Sequence, residues 1–259
     1  MRPIIASLKF MAFFVLCLVF VPPQVVVLCI TKDDKALFLP MIWMRCVCFI
    51  FRIRVFVEGN RNIQNQVIVM SNHLSYLDIP AIGSVIPHSF VSKADVAKWP
   101  IFGFLAGLRL TAYVVRGSKD PELASKGVEE YLMRGESLIV FPEGTSTDGQ
   151  DVLDFKTGIF ARAIDCQVNA LKIQPTTIKV ISADNREVKT QDDRDIYAWH
   201  RDMTTELPAH LWHFACSRGA HLKIIFHPCI EIESHHDRKT LAKDTHKAVS
   251  NGHRLLKAA

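Results

Sequence analysis

No two of the seven cysteines stand in a Cys-x-x-C pair, and Cys46-x-Cys48 has the wrong spacing for a common zinc knuckle. The count is odd: Cys17, Cys29, Cys46 and Cys48 lie in an apolar N-terminal part, and Cys166, Cys216 and Cys229 are scattered beyond it. The thiols therefore read as small apolar filler in a reducing compartment, not as a disulfide framework. A G-x-S-x-G elbow is also missing, which argues against a serine hydrolase. There is no internal repeat and no low-complexity tract. No basic stripe is interleaved with aromatics, so no nucleic-acid partner is expected. The net charge of +5 is modest, and the cations near the apolar segments suit anionic lipid headgroups.

Apolar residues are plentiful, 49% of the chain, and the excess lies in the first sixty positions. From Phe10 to Ile30 every residue is apolar except Pro22, Pro23 and Gln24, long enough for one helix to cross a bilayer core. The two prolines remove helix hydrogen bonds and argue against a straight span. A second apolar stretch, Ala36 to Ile50, follows the polar link Thr31–Lys35, with cations at Arg45, Arg52 and Arg54. The pair suggests a helical hairpin dipped into one leaflet, or one span and an interfacial helix. Arg2 ahead of an apolar core also fits a cleaved signal peptide, but the stretch outruns a usual signal core and offers no A-x-A-like cleavage site. A retained anchor over residues 1–58 is expected, followed by an α/β domain over 59–259.

Within that domain strand-like and helix-like pieces alternate. Strands are expected at Val67–Met70, Ser89–Ser92, Ala112–Val115, Ser137–Phe141, Leu171–Ile181 (broken at Pro175) and Leu222–Ile232. Helices are expected at Ile79–Ile86, Trp99–Leu108, Pro121–Arg134, Thr157–Ile164 and Lys239–Leu256. Such alternation predicts an α/β fold, a mostly parallel sheet flanked by helices. The charge-dense stretch Ser182–Glu206 reads as a long surface excursion.

The most informative residues are Ser71–Pro80, which follow the first of these strands. They hold His73 and Asp78 five positions apart at a strand's carboxyl end, where α/β enzymes place their chemistry. A His–carboxylate pair can take a proton from an alcohol, because the carboxylate fixes the ring tautomer and stabilises the imidazolium. On one continuous helix the two side chains would be turned about 140° apart, so meeting requires His73 on the preceding turn and Asp78 in the first helical turn. Ser75 then serves as N-cap, with Asp78 completing an S-x-x-[DE] pattern. A plainer reading makes Asp78 a capping carboxylate and His73 a loop residue.

Three further clusters follow strands. Ala112–Gly117 ends in Arg116, a planar donor fork suited to phosphate or carboxylate. Phe141–Ser146 brings Glu143, Gly144, Thr145 and Ser146. Phe155–Gly158 places Lys156 at a helix start, an anion-binding setting. Each has a bland alternative: a surface ion pair, a turn, a solvated lysine. If the strands run parallel, all open on one side of the sheet and share a cleft.

These residues resemble the glycerolipid acyltransferase family, and 1-acylglycerol-3-phosphate acyltransferases in particular. Asn72–Asp78 is similar to the family's N-H-x4-D block, Val114–Arg116 to its second block, Phe141–Ser146 to its third and Ile173–Pro175 to its fourth. The likeness runs from about Val57 to Ile181. It implies His73 as general base and Asp78 as the residue that orients it, with direct attack on the thioester and no acyl-enzyme. It implies that Arg116, Glu143, Gly144, Thr145, Ser146 and Lys156 hold the acceptor. Glu143 among anion-binding groups is odd; it could position Arg116 or Lys156, or accept from a glycerol hydroxyl. No cofactor or metal is implied. The co-substrate is an acyl-CoA or acyl carrier protein thioester, the acceptor a lysolipid, most directly 1-acylglycerol-3-phosphate. The expected place is the inner membrane, with the catalytic domain on its cytoplasmic side. Tyr197–Met203 resembles a stretch of bacterial members that include acylators of lyso-ornithine lipid, which leaves that acceptor as an alternative.

Two other classes compete. A metal-dependent hydrolase would use His73 and Asp78 as ligands, completed by His88 or by His235, His236 and Asp237, although adjacent histidines point apart on most backbones. A non-catalytic membrane protein on the same fold is the other.

Overall fold

A short β-branched run buries all its side chains when it lies in mid-sheet with both faces covered, and Val67–Met70 does so, every residue at 0% exposure. The computed structural model of the chain describes residues 2–63, 65–99, 101–114, 121–166, 168, 170–232 and 237–255. Two helices come first: α1 (Arg2–Ile30) and, after a 3-10 turn, α2 (Phe38–Phe51). Then follow β1 (Ile53–Gly59), β2 (Val67–Ser71), α3 (Asp78–Gly83), β3 (Ser89–Lys93), α4 (Phe102–Leu108), β4 (Ala112–Val114) and α5 (Pro121–Met133). Next are β5 (Leu138–Val140), α6 (Gly158–Asp165), β6 (Lys172–Ala183), β7 (Arg186–Glu187) and α7 (Gln191–Asp195). The chain closes with α8 (Leu207–Cys216), β8 (Ala220–Phe226), β9 (Ile230–Glu231) and α9 (Arg238–Leu255).

The main strand order is β1-β8-β6-β2-β5-β3-β4. Every neighbouring pair on that path is parallel except β6 with β8. The expected α/β class, with a mostly parallel sheet between helices, is what the chain forms. Period-2 alternation divides β2 between two apolar layers. Val67 and Val69 pack with Met44, Ile82, Tyr197 and Phe214 on one face. Ile68 and Met70 pack with Val128, Leu132, Phe160 and Leu241 on the other. Each such side chain gains about 1.5–3 kcal/mol from burial.

Several expectations need correcting. β6 is not broken at Pro175: the proline pairs with Met70 of β2, and its carbonyl accepts from His227 N–H at 2.9 Å. The strand expected over Leu222–Ile232 is two strands, β8 and β9, both antiparallel to β6. The reversal starts at Asp184 and Asn185, whose left-handed backbones (φ 49° and 62°) turn β6 into β7. β1, which spans the division expected at residue 58, pairs with β8 along its whole length.

α1 runs unbroken through Pro22 and Pro23 for 29 residues, about 44 Å at 1.5 Å per residue, more than a hydrocarbon core is thick. Its polarity is inverted. Lys9 and Gln24 are buried, whereas Leu8, Met11, Phe14, Leu18, Val19, Val26 and Ile30 are all more than half exposed. The Lys9 ammonium donates to the carbonyls of Ala215 (2.8 Å) and Ser217 (3.0 Å) at the end of α8. The Gln24 amide donates to those of Ala36 (3.1 Å) and Leu108 (2.8 Å). Phe10 stacks on Trp212 with ring centres 5.9 Å apart. α1 is thus tied to the rest of the fold by its few polar groups while its apolar side faces outward. At 14 residues α2 is too short to span, and it buries Met41, Met44, Val47, Cys48 and Phe51.

The β1–β8 edge depends on Gly219. Its φ is +93°, and a Cβ there would strike the Arg52 carbonyl that accepts Ala220 N–H at 3.1 Å. Gly219→Ala is expected to destabilise the fold by about 1–3 kcal/mol. Thermal unfolding in detergent reads this, and an unchanged melting temperature contradicts it.

Candidate active site

β2 and β5 are parallel neighbours, so the loops leaving their carboxyl ends meet. The first loop carries His73 and the second Glu143. Asn72 anchors the end of β2: its amide donates to the Ile178 carbonyl (2.9 Å) and accepts Ile178 N–H (2.8 Å). The chain then turns, and α3 begins at Asp78.

His73 Nδ1 lies 2.8 Å from Asp78 Oδ2. The same oxygen accepts the backbone N–H of Leu74 (2.6 Å) and Ser75 (3.0 Å), and Oδ1 accepts the Tyr197 hydroxyl at 2.8 Å. A carboxylate oxygen only accepts, so Nδ1 carries the hydrogen and Nε2 is left with its lone pair. Among the described residues Nε2 has no hydrogen-bond partner, and the side chain is 20% exposed, against 0% for Asp78. The ring lies on Phe141, centres 4.1 Å apart and planes 17° apart, so its orientation is fixed from its face as well as its edge.

Ser75 is not the expected cap. Leu77 is the N-cap residue of α3 and makes no side-chain cap bond, and Ser75 Oγ is buried without a partner. Only the carboxylate half of a capping box forms, Asp78 accepting Ser75 N–H. Asp78 Oδ2 thus meets the Ser75 N–H ahead of α3 and His73 Nδ1 at once.

Among the described residues Glu143 pairs with backbone N–H groups and not with Lys156. Its Oε1 accepts the backbone N–H of His73 at 2.6 Å and its Oε2 that of Leu153 at 2.8 Å. Four residues on, Thr147 donates its N–H (2.9 Å) and hydroxyl (3.2 Å) to the His73 carbonyl. Both peptide groups of His73 are therefore gripped by the loop after β5. Burial pushes the Glu143 carboxyl up to about 8, reinforced by the nearby Asp78 charge and opposed by the two N–H donors.

Gly144, with φ +74°, lies under the Lys156 side chain; a Cβ there would come within 2.7 Å of Nζ. Lys156 N–H donates to the Pro142 carbonyl at 2.9 Å, which fixes that crossing. Thr145 and Ser146 are half-buried on the same turn. The structure thus gathers His73, Asp78, Glu143, Gly144, Thr145, Ser146 and Lys156 around one loop pair. Arg116 lies outside the described residues.

The sequence reading missed Tyr197. It falls in the stretch expected to be a surface excursion, yet it is fully buried and bonds Asp78 directly. Its neighbour Trp199 donates its N–H to the Leu74 carbonyl at 2.9 Å. The usable signal was the uncharged triplet Tyr197-Ala198-Trp199 amid charges. Among the described residues no group of three His, Cys, Asp or Glu side chains could hold a metal ion. His88 is buried, and burial with the Arg109 charge pulls its ring down to about 4. His235 and His236 lie outside the described residues.

The sequence pattern described as Acyltransferase matches residues 54–179. A lyso-ornithine lipid O-acyltransferase of Rhodobacter capsulatus is 33% identical over 216 residues, covering 82% of this chain and 74% of that protein. A 1-acyl-sn-glycerol-3-phosphate acyltransferase of Neisseria gonorrhoeae is 36% identical over 110 residues, covering 42% of this chain and 43% of that protein. The crystal structure of the 1-acyl-sn-glycerophosphate acyltransferase PlsC of Thermotoga maritima shares the fold, with a TM-score of 0.70 at 22% identity over 100% of this chain and 99% of that one. With a relative this similar along most of both chains, and with the family pattern over the segment that holds His73, Asp78 and Glu143, the chain belongs to the lysophospholipid acyltransferase family and is an acyltransferase.

Proposed function

We propose that the chain moves a fatty acyl group from an acyl-CoA or acyl carrier protein thioester to the free hydroxyl of a lysolipid at a membrane face. The observation that carries this reading is the 2.8 Å bond from His73 Nδ1 to Asp78 at the carboxyl end of the sheet, which leaves Nε2 without a partner among the described residues on a side chain that is 20% exposed. Nε2 takes the proton of the acceptor hydroxyl as its oxygen attacks the thioester carbonyl. The tetrahedral intermediate collapses, the C–S bond breaks, and the leaving sulfur takes the proton back from His73. Asp78 stabilises the imidazolium in between. Glu143 and Thr147 act through the backbone of His73, holding the ring's position. Arg116, Lys156, Thr145, Ser146 and the Gly144 turn hold the acceptor's headgroup.

We take that acceptor to be lyso-ornithine lipid. The Rhodobacter relative that runs along most of the chain bears that activity in its name, and Tyr197–Trp199 lies against the His73–Asp78 turn. The ornithine carboxylate would suit the Arg116 fork as well as a phosphate does. A second reading, 1-acylglycerol-3-phosphate to phosphatidic acid, is favoured by the Neisseria relative. The outward apolar side of α1 would sit in the bilayer, and Arg45, Arg52 and Arg54 favour the anionic cytoplasmic face of the inner membrane.

Membranes containing the protein, offered both lysolipids with an acyl thioester, are expected to acylate lyso-ornithine lipid; acylation of lysophosphatidate alone would reverse the choice. His73→Ala is expected to lower turnover at least about 100-fold with either acceptor while the melting temperature holds. Near-normal turnover would remove His73 from the role of base.

Glu143 predicts a pH dependence of stability. Its carboxyl titrates at about 8 when folded against an ordinary 4.5. Between those values the folded chain keeps a proton that the unfolded chain has released. The stability it adds is therefore complete below about 4.5, falls as pH rises, and is gone above about 8. The melting temperature of the native chain, relative to Glu143→Gln, is expected to drop across that window. Two parallel curves would contradict it.

A further inference from the structure

The segment between α7 and α8 touches the catalytic turn at two points, and one of them reaches the reacting pair. Tyr197 is fully buried, and its hydroxyl has one described partner, Asp78 Oδ1 at 2.8 Å. Nothing about core packing asks for that hydroxyl: a phenyl ring would fill the same space against Phe214, whose centre lies 6.0 Å away. Asp78 already accepts three N–H donors on Oδ2, so the fourth donor is not needed to cap α3. Trp199 N–H grips the Leu74 carbonyl beside it, and Tyr76 Oη meets His210 Nδ1 at 3.0 Å. His210 Nε2 in turn lies 3.0 Å from the Asp195 carbonyl, which ties the turn to both flanking helices.

We propose that Tyr197 is a positioning residue of the acyl-transfer site: its hydroxyl fixes the Asp78 carboxylate toward His73 and draws off part of its charge, so that the pair is set to take the acceptor's proton. The proposal rests on His73 acting as the base. A carboxylate that shares its charge among four donors pulls less strongly on the ring proton than one with three. Without the hydroxyl, Asp78 interacts more strongly with the imidazolium than it does in the native chain. Tyr197 itself stays neutral, since burial and the adjacent Asp78 charge push its own ionisation well above the ordinary range. It therefore acts only as a donor.

Among the described residues the other ionisable groups around the pair and Tyr197 are Glu143 from the loop after β5, Tyr76 in the turn itself, and Cys48 from α2. Lys156 crosses above Gly144. Of these Glu143 has its carboxyl pushed up to about 8, chiefly by burial.

The test is Tyr197→Phe in the full chain, in membranes or detergent, with kcat/KM measured from pH 5 to 9. The acid limb of the profile is expected to move about 0.5–1 pH unit upward, with kcat at pH 6 down roughly 3–10-fold and acceptor KM within about twofold. As a readout that needs no turnover, the pH dependence of His73 acylation by a histidine-directed reagent should shift the same way. An acid limb that stays where it is in native protein overturns the proposal, whatever happens to kcat, and leaves His73 as base untouched. If the phenylalanine variant is recovered only in part, His73 modification measured on the folded fraction decides the same question. A His73→Ala chain that still turns over would instead sink the underlying functional reading.

Discussion

The site depends on a carboxylate with no exposure to water. Asp78 accepts from His73 Nδ1, two backbone N–H groups and the Tyr197 hydroxyl, so its charge is met wholly by donors the fold supplies. A buried carboxylate without such partners is strongly disfavoured. Three of the donors come from the turn after β2 and the fourth from the stretch after α7. The order of the strands makes this possible. With β2 between β6 and β5, the turn is flanked on one side by the strand that Asn72 clamps and on the other by the loop that carries Glu143. Glu143 and Thr147 then hold both peptide groups of His73, and Phe141 lies under its ring. The histidine is fixed from the edge, the face and the backbone, and among the described residues Nε2 has no hydrogen-bond partner.

The N-terminal helix inverts the usual partition of polar and apolar groups. Lys9 and Gln24 are buried to satisfy carbonyls at the ends of α8, α4 and the turn before α2, while large apolar side chains point out. In water that arrangement would expose far more contiguous apolar surface than a soluble chain usually carries. In lipid the same arrangement is the stable one, because the polar groups find partners in protein and the apolar ones in hydrocarbon. The helix that would enter the bilayer is therefore clamped to the domain that carries His73, and the acceptor's hydroxyl and acyl chain can be met at once.

Periodicity and strand-end position made much of this legible in the sequence. The alternation of strands and helices gave the class, because a parallel sheet buries its strands on both faces and leaves short β-branched runs such as Val67–Met70. The five-residue spacing of His73 and Asp78 implied a turn before a helix, and that is the turn found. Long-range hydrogen bonds were not legible. Nothing local marks Glu143 as a backbone clamp, since its partners at His73 and Leu153 are set by the pairing of β2 with β5 and by the next loop. Tyr197 was hidden for the same reason: charged neighbours place its segment at the surface, and only the antiparallel return of β8 to β6 brings it over the turn. Pro175 misled in the other direction, because a missing N–H is tolerated where the carbonyl has a partner and the strand continues.

Asp78→Asn tests the central claim most directly. The substitution preserves size but turns a pure acceptor into a group that can donate, which favours the wrong histidine tautomer. Single-turnover acyl transfer with a saturating lysolipid acceptor is expected to slow by about 100-fold or more, with acceptor binding unchanged. A variant that transfers acyl groups at close to the native rate would show that the His73–Asp78 pair is not what deprotonates the acceptor.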